Sequence, residues 1–207
     1  MNFNPNINKI KKLKLIICRH GQSIWNKENK FTGWTNIHLT NYGIQQTIKT
    51  THILKNNNII PNKIISSKLI RSIHSAEIIR NILNIPKNIC TFEELNERHY
   101  GMLEGMNRNE ASQKYSFSNI NNIRQDFYLL PYIINNKLII YNQKIKNIYN
   151  IHEFGESNQL VHQRLLSLWN NYIIKQLIKH EILLIISHKN TLRCLMKIIE
   201  NLERCVF

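Results

Sequence analysis

Short unbroken apolar runs alternate along this chain with longer stretches in which apolar residues recur every three or four positions. That is the pattern of strands covered on both faces and set between amphipathic helices. Leu13–Cys18 is the first run and predicts a buried strand that opens, at Arg19, His20 and Gly21, into a loop of small and polar residues. Thr40 suits the N-cap of a helix from about Tyr42 to Leu54, which the Asn56–Asn58 and Pro61 cluster ends. Lys63–Ser67 predicts a short strand, and the helix after it sets Leu69, Ile73, Ala76 and Leu83 on one side and stops before Pro86. Glu93–Gly101 reads as a polar loop, dense in acids for this chain. From about Asn119 to Asn150 the periodicity is weak, which predicts an irregular, loop-dominated insertion. Ser157 opens a long helix with Val161, Leu165, Leu168, Trp169 and Tyr172 on one face. Glu181–Ser187 is a further buried strand with His188 just past it, and Leu192, Leu195, Met196 and Ile199 mark the last helix.

This order predicts an α/β fold of three layers, a mostly parallel sheet flanked by helices, in one domain over 13–207. Residues 1–12 read as a disordered basic lead-in. Three polar groups fall at the carboxyl ends of strands: Arg19–His20, Ser66 to Arg71, and His188. In open α/β sheets that edge is where ligands bind.

Composition changes this picture only in part. The net charge of +15 invites a nucleic-acid partner. Yet Asn, Ile and Lys make up roughly two-fifths of the chain, far above average usage. These residues share adenine- and thymine-rich codons, so drift in base composition raises basicity without building a binding surface. Nor are the lysines interleaved with aromatics as a stacking groove needs. The charge is equally compatible with a small anionic substrate, and no nucleic-acid partner is expected. No run of about 18 apolar residues occurs, so no membrane span is expected. Cys18, Cys90, Cys194 and Cys205 show neither metal-ligand spacing nor a disulfide framework, which predicts no metal and a reducing cytoplasm.

A histidine at a strand end can attack phosphorus through one ring nitrogen when the other is held by a hydrogen bond. The phosphoryl oxygens then need cations and donors, because such transfers are catalysed mainly by positioning and electrostatics. Arg19, Arg71 and His188 are candidates for that work, with Asn26 and Asn190 as neutral donors. A carboxyl in the acidic loop, Glu97, is the candidate to exchange a proton with the leaving or entering oxygen.

Arg19-His20-Gly21 resembles the signature of the histidine phosphatase superfamily. The longer segment from Arg19 to Trp34, with Asn36-Ile-His-Leu-Thr40, resembles its 2,3-bisphosphoglycerate-dependent phosphoglycerate mutase branch. Leu95–Gly101 and Ser187–Arg193 are two further blocks of the same likeness. The resemblance implies a phosphoglycerate mutase-like fold and interconversion of 3-phosphoglycerate and 2-phosphoglycerate through a phosphohistidine. The primer would be 2,3-bisphosphoglycerate, without a metal. His20 would be the nucleophile, Glu97 the proton donor and acceptor, and His188 the stabiliser of the transition state. Arg19, Asn26 and Arg71 would line the reacting phosphoryl group, and Ser23, Thr32 and Gly33 would touch the substrate. Arg98, Tyr100, Arg108 and Arg124 would surround its carboxylate and second phosphate, and Asn190 would close the site. Members of this family are often dimers or tetramers, which leaves a homo-oligomer open.

The departures from the family pattern are expectations too. Lys189 stands where a Gly is usual, losing access to positive φ and adding bulk and charge. Gln125 stands where a second arginine beside Arg124 is usual, and Arg108 replaces a lysine. The family continues past the helix around Leu192–Leu202 into a further strand and a mobile tail, whereas this sequence ends at Phe207. The expected consequence is a missing strand and tail and a shift from mutase towards phosphatase behaviour. The alternatives to the mutase are thus a histidine phosphatase acting on small phosphate esters, a catalytically weak remnant, or a basic binding module.

Overall fold

The computed structural model describes residues 13–134, 137–142, 155–180 and 182–204. Its main sheet contains β1 (Lys14–Arg19), β2 (Lys63–Ser67), β3 (Cys90–Phe92) and β6 (Ile182–Ser187), all parallel, in the order β1-β6-β2-β3. Because side chains alternate across a strand, each apolar run feeds two cores. Leu15, Ile17, Ile65, Leu183 and Ile185 face one side. There they meet Val161, Leu165 and Leu168 of α6 (Asn158–Leu168) and Leu192, Leu195 and Ile198 of α8 (Lys189–Arg204). Ile16, Cys18, Ile64, Leu184 and Ile186 face the other, against Ala76 and Ile79 of α3 (Ile70–Ile82). The three expected layers are present.

Helix α2 (Asn41–Asn56) is capped at Thr40, whose hydroxyl accepts from the Gly43 amide at 3.0 Å. It lies beside the β1 loop at a distance only glycines permit. A Cβ on Gly21 would sit 2.1 Å from the Gly43 carbonyl oxygen, and one on Gly43 would sit 2.1 Å from that of Gln22. Before it comes α1 (Ile24–Lys27), a single turn capped by Ser23.

Three expectations differ from the structure. The first turns of α3 bury Arg71, Ser72 and Ser75, while Ile73 is only half-buried. Ser72 donates to the Ile186 carbonyl, and Ser75 donates to that of Arg71 and accepts from the Gly21 amide. Hydroxyls suit the start of α3 because it meets backbone groups, the Ile186 carbonyl at the end of β6 and the Gly21 amide, before Ala76 and Ile79 reach the apolar sheet face. The stretch expected as an irregular insertion is regular where described. Helix α5 (Phe117–Gln125) follows α4 (Arg108–Tyr115), and β4 (Leu129–Ile134) pairs antiparallel with β5 (Lys137–Asn142). Asn- and Ile-rich composition blurred their periodicity. The third is β3, whose three residues are too few to show alternation. The helix from Asn158 also runs through a π-helical segment, Trp169–Ile173, into α7 (Ile174–His180). The basic lead-in at 1–12 and positions 143–150 of the insertion lie outside the described residues.

Gly21→Ala and Gly43→Ala should each lower stability by about 1–3 kcal/mol, since backbone stands on both sides of the contact. Urea unfolding checks this, and an unshifted midpoint in both variants would contradict the packing described.

Candidate active site

β1 and β6 run in parallel register with Arg19 opposite Ser187. The His20 amide extends the ladder by donating to the Ser187 carbonyl at 3.1 Å. The next residues on the two strands are therefore His20 and His188, and their rings meet with centroids 4.8 Å apart, tilted by 56°. Both are buried. The His20 Nδ1 lies 2.6 Å from the Gly21 carbonyl, which assigns the ring proton to Nδ1 and leaves the Nε2 lone pair free. The His188 Nε2 is 2.8 Å from Ser67 Oγ at the end of β2, and Ser67 Oγ also accepts from the Leu69 amide. With the Ser67 hydroxyl donating to Nε2, the His188 proton sits on Nδ1, a buried atom with no partner.

Burial holds both imidazoles well below the ordinary histidine value, and the Arg71 and Arg19 guanidinium groups push each further down. Both are therefore neutral at pH 7. Arg71 is buried at the start of α3 and donates to the carbonyls of Thr35 (2.8 Å) and Gly33 (2.7 Å). Burial lowers its pKa to about 10, so it keeps its charge at neutral pH.

Arg19, His20 and Arg71 line a cavity of about 570 Å³. Of the residues expected to act there, Arg19, His20, Asn26, Thr32, Gly33 and Arg71 line it, as do Glu97, Tyr100, Arg108, Arg124 and Asn190. Arg19 donates to Asn26 Oδ1 at 3.2 Å, and Asn190 donates to the Tyr100 hydroxyl at 2.8 Å. Glu97 Oε1 accepts from the Arg98 amide at 2.8 Å. Six cations line the cavity, Arg19, Arg71, Arg108, Arg124, Lys189 and Arg193, against one carboxylate. Among the described residues, five buried side-chain polar atoms lack a partner, and four of them belong to residues in or against this cavity: Thr32 Oγ1, Arg71 Nε, Arg108 Nε and His188 Nδ1. Unmet donors and cations gathered in one place suit an anionic ligand. No group of three His, Cys, Asp or Glu able to hold a metal occurs among the described residues.

Three expected residues do not line the cavity. His188 is fully buried with its ring against that of His20. Ser23 is buried with its hydroxyl accepting from the Asn26 amide, so it caps α1 and holds Asn26 in place. Arg98 is fully buried, and its guanidinium donates to the carbonyls of Glu156, Ile123 and Leu129. It ties the acidic loop to α5 and the hairpin through these three carbonyls, and it does not reach the cavity lining. Its sequence neighbourhood marked it as functional, but only the fold shows which way it turns.

Sequence reasoning missed the clamps. Both carboxylate oxygens of Glu104 accept from the Trp34 amide, and Oε2 also accepts from the Thr35 amide and hydroxyl. Gly33 adopts φ +49° against that side chain and admits no Cβ. Arg164 pairs with Glu156 and donates to the carbonyls of Glu94, Asn96 and Glu97. The Trp34 indole donates to the Glu97 carbonyl at 2.6 Å. No motif flags Glu104 or Arg164, because most of their partners are backbone groups far away in sequence.

A buried strand-end histidine in contact with a second one, under a rim of arginines, is an arrangement suited to binding and transferring a phosphoryl group. The model of the histidine phosphatase superfamily (branch 1) matches residues 15–128. A 2,3-bisphosphoglycerate-dependent phosphoglycerate mutase of Buchnera aphidicola subsp. Baizongia pistaciae is 37% identical over 94% of this chain and 86% of its own. Phosphoglycerate mutase 1 of Saccharomyces cerevisiae is 36% identical over 92% and 79%. The chain belongs to the histidine phosphatase superfamily and, within it, to the 2,3-bisphosphoglycerate-dependent phosphoglycerate mutase family. Among solved structures, Bacillus stearothermophilus YhfR superposes with a TM-score of 0.69 at 24% identity, covering 90% of this chain and 79% of that one. A mycobacterial glucosyl-3-phosphoglycerate phosphatase gives 0.67 at 17%, over 89% and 77%. These two show the fold alone.

The depressed histidine values fix the sign of a stability profile. Below the ordinary value near 6.5 the unfolded chain takes up protons that buried His20 and His188 refuse, so stability falls as pH drops through that range. Each ring should add about 1.4 kcal/mol per pH unit below it, and urea midpoints measured against pH should flatten in His188→Asn. An equally steep profile in that variant would contradict the assignment.

Proposed function

We propose that this protein is a 2,3-bisphosphoglycerate-dependent phosphoglycerate mutase that interconverts 3-phosphoglycerate and 2-phosphoglycerate through a phosphohistidine on His20. One observation carries the reading: a neutral, buried His20 with a free Nε2, at a cavity of six cations and one carboxylate.

Gly21 holds the Nδ1 proton and fixes the ring, so the lone pair on Nε2 is directed at phosphorus. The N–P bond forms as the P–O bond to the substrate oxygen breaks. Arg19, Arg71 and Asn26 balance charge on the transferred phosphoryl oxygens. The His188 Nδ1 proton, kept in place through Ser67, is the donor for charge that builds up in the transition state. Glu97, with Oε1 occupied by the Arg98 amide, has its second oxygen to give a proton to the departing oxygen and to take it back in the reverse step. Bound bisphosphoglycerate supplies the phosphoryl group that primes His20, and the residues present suit its charge. Tyr100, Arg108, Arg124 and Asn190 hold the non-reacting end of the substrate. Thr32 and Gly33 form the wall of the cavity near Arg71. Ser23 and Arg98 act through others, Ser23 through Asn26 and Arg98 through the backbone of the acidic loop.

No helix among the described residues is long and apolar enough to cross a membrane. Cys18, Cys90 and Cys194 carry free thiols, in keeping with the reducing cytoplasm where glycolysis and gluconeogenesis run.

A coupled assay of 3-phosphoglycerate conversion, with and without 2,3-bisphosphoglycerate, tests the reading. Isomerisation should depend on the bisphosphate. His20→Ala should lose about 10⁴-fold or more, and Glu97→Gln about 10²–10⁴-fold. Release of inorganic phosphate with no isomerisation would make the protein a phosphatase of the same superfamily. No turnover by folded protein would overturn both.

A further inference from the structure

Lys189 has a place in this site that the family likeness does not assign. As a replacement for glycine it was expected to strain the backbone, yet it begins α8 and is absent from the residues with positive φ among those described. Its side chain is exposed at the cavity mouth and contributes to the lining. The groups whose charge bears on it are all cationic: Arg193 most strongly, then Arg124, Arg19 and Arg108, and these together with slight burial lower its pKa. No ion pair between Lys189 and a carboxylate is found among the described residues. The one carboxylate of the cavity, Glu97, has an oxygen engaged by the Arg98 amide.

The two sides of the mouth are unequal. On α5, Arg124 is exposed and charged, but its neighbour Gln125 is neutral and donates its amide to Asn121 Oδ1 at 3.0 Å, within the same helix. On α8, Lys189 and Arg193 line the same cavity. His20 and Arg71 are buried, whereas Lys189, Arg193 and Arg124 are exposed. Lys189 therefore belongs to the outer end of the cavity, away from the reacting phosphoryl position. A phosphate or carboxylate there would lie between α5 and α8, with cations on both sides.

We propose that Lys189 is a substrate-binding residue whose ammonium, with Arg124 opposite, holds the anionic group that is not being transferred. The proposal rests on the mutase reading above for the shape of its ligand, a glycerate bearing two anionic ends. It also accounts for the neutral Gln125, since the second cation for the outer anion comes from α8.

Calorimetric titration with 2,3-bisphosphoglycerate, and separately with inorganic phosphate, tests it on wild type, Lys189→Gln, Lys189→Gly and Lys189→Arg. Thermal unfolding establishes that each variant is folded. The Kd for the bisphosphate should rise about tenfold in the Gln and Gly variants, the loss of one charge-assisted hydrogen bond. It should stay near wild type in the Arg variant and depend less steeply on salt in the Gln variant. The Kd for inorganic phosphate, which occupies the His20 end, should change by less than about twofold. Bisphosphate binding as tight as wild type, or tighter, in Lys189→Gly would overturn the proposal and mark the lysine as drifted composition. An equal loss for both ligands would also overturn it, leaving only a general field. A wild type that binds the bisphosphate through Lys189 but only hydrolyses esters would support this inference while overturning the mutase reading. A wild type that does not bind it would overturn both.

Discussion

The parallel pairing of β1 with β6 is the constraint on which the rest of the site depends. It continues one residue beyond the sheet, through the His20 amide and the Ser187 carbonyl, and so brings two histidines from positions 168 apart in sequence into ring contact. Ladder hydrogen bonds fix the backbone that carries both rings, and the Gly21 carbonyl and the Ser67 hydroxyl fix the rings themselves. The same burial that fixes the rings strips their solvent, and with Arg71 and Arg19 close by it keeps them uncharged. A nucleophile is thus prepared by the fold itself, before any ligand enters.

Neutral rings and buried arginines are costly together, and the loops around them show how that cost is met. Arg71 rests on the Gly33 and Thr35 carbonyls, Arg98 on three carbonyls, and Arg164 on a buried pair with Glu156 and on the acidic-loop backbone. Glu104 joins the loop after α1 to the acidic loop. Removing one partner of such a network leaves several buried acceptors unpaired, so these residues stand outside the chemistry yet set its geometry. The cations that remain facing the cavity have no such partners. Their mutual repulsion is relieved by a multiply charged anion, which links the positive balance of the site to its ligand class.

Much of this was readable from the chain. The apolar runs 13–18, 63–67 and 181–187 located three of the four sheet strands because parallel strands are buried on both faces. The blocks around His20, Glu97 and His188 marked three corners of one cavity before any distance was known. What the chain hid has physical causes. β3 is too short for periodicity, and α5 with the β4–β5 hairpin is masked by a composition in which Asn and Ile occur everywhere. Arg98 and Ser23 carry motif identities, but their side chains turn inward, to carbonyls and to the α1 cap. Glu104, Arg164 and Lys189 could be understood only in space. Lys189 in particular reads as damage in one dimension and as a cation lining the same cavity as Arg124 in three.

The central claim is that a buried, neutral His20 accepts a phosphoryl group on Nε2. Intact-protein mass measurement under neutral to alkaline conditions, after mixing with 2,3-bisphosphoglycerate, tests it most directly. The account predicts a gain of one phosphoryl group, lost on acidification, mapping to the peptide that holds His20 and absent from His20→Gln. An unmodified mass in folded wild-type protein, or a phosphoryl group that persists in His20→Gln, would contradict it.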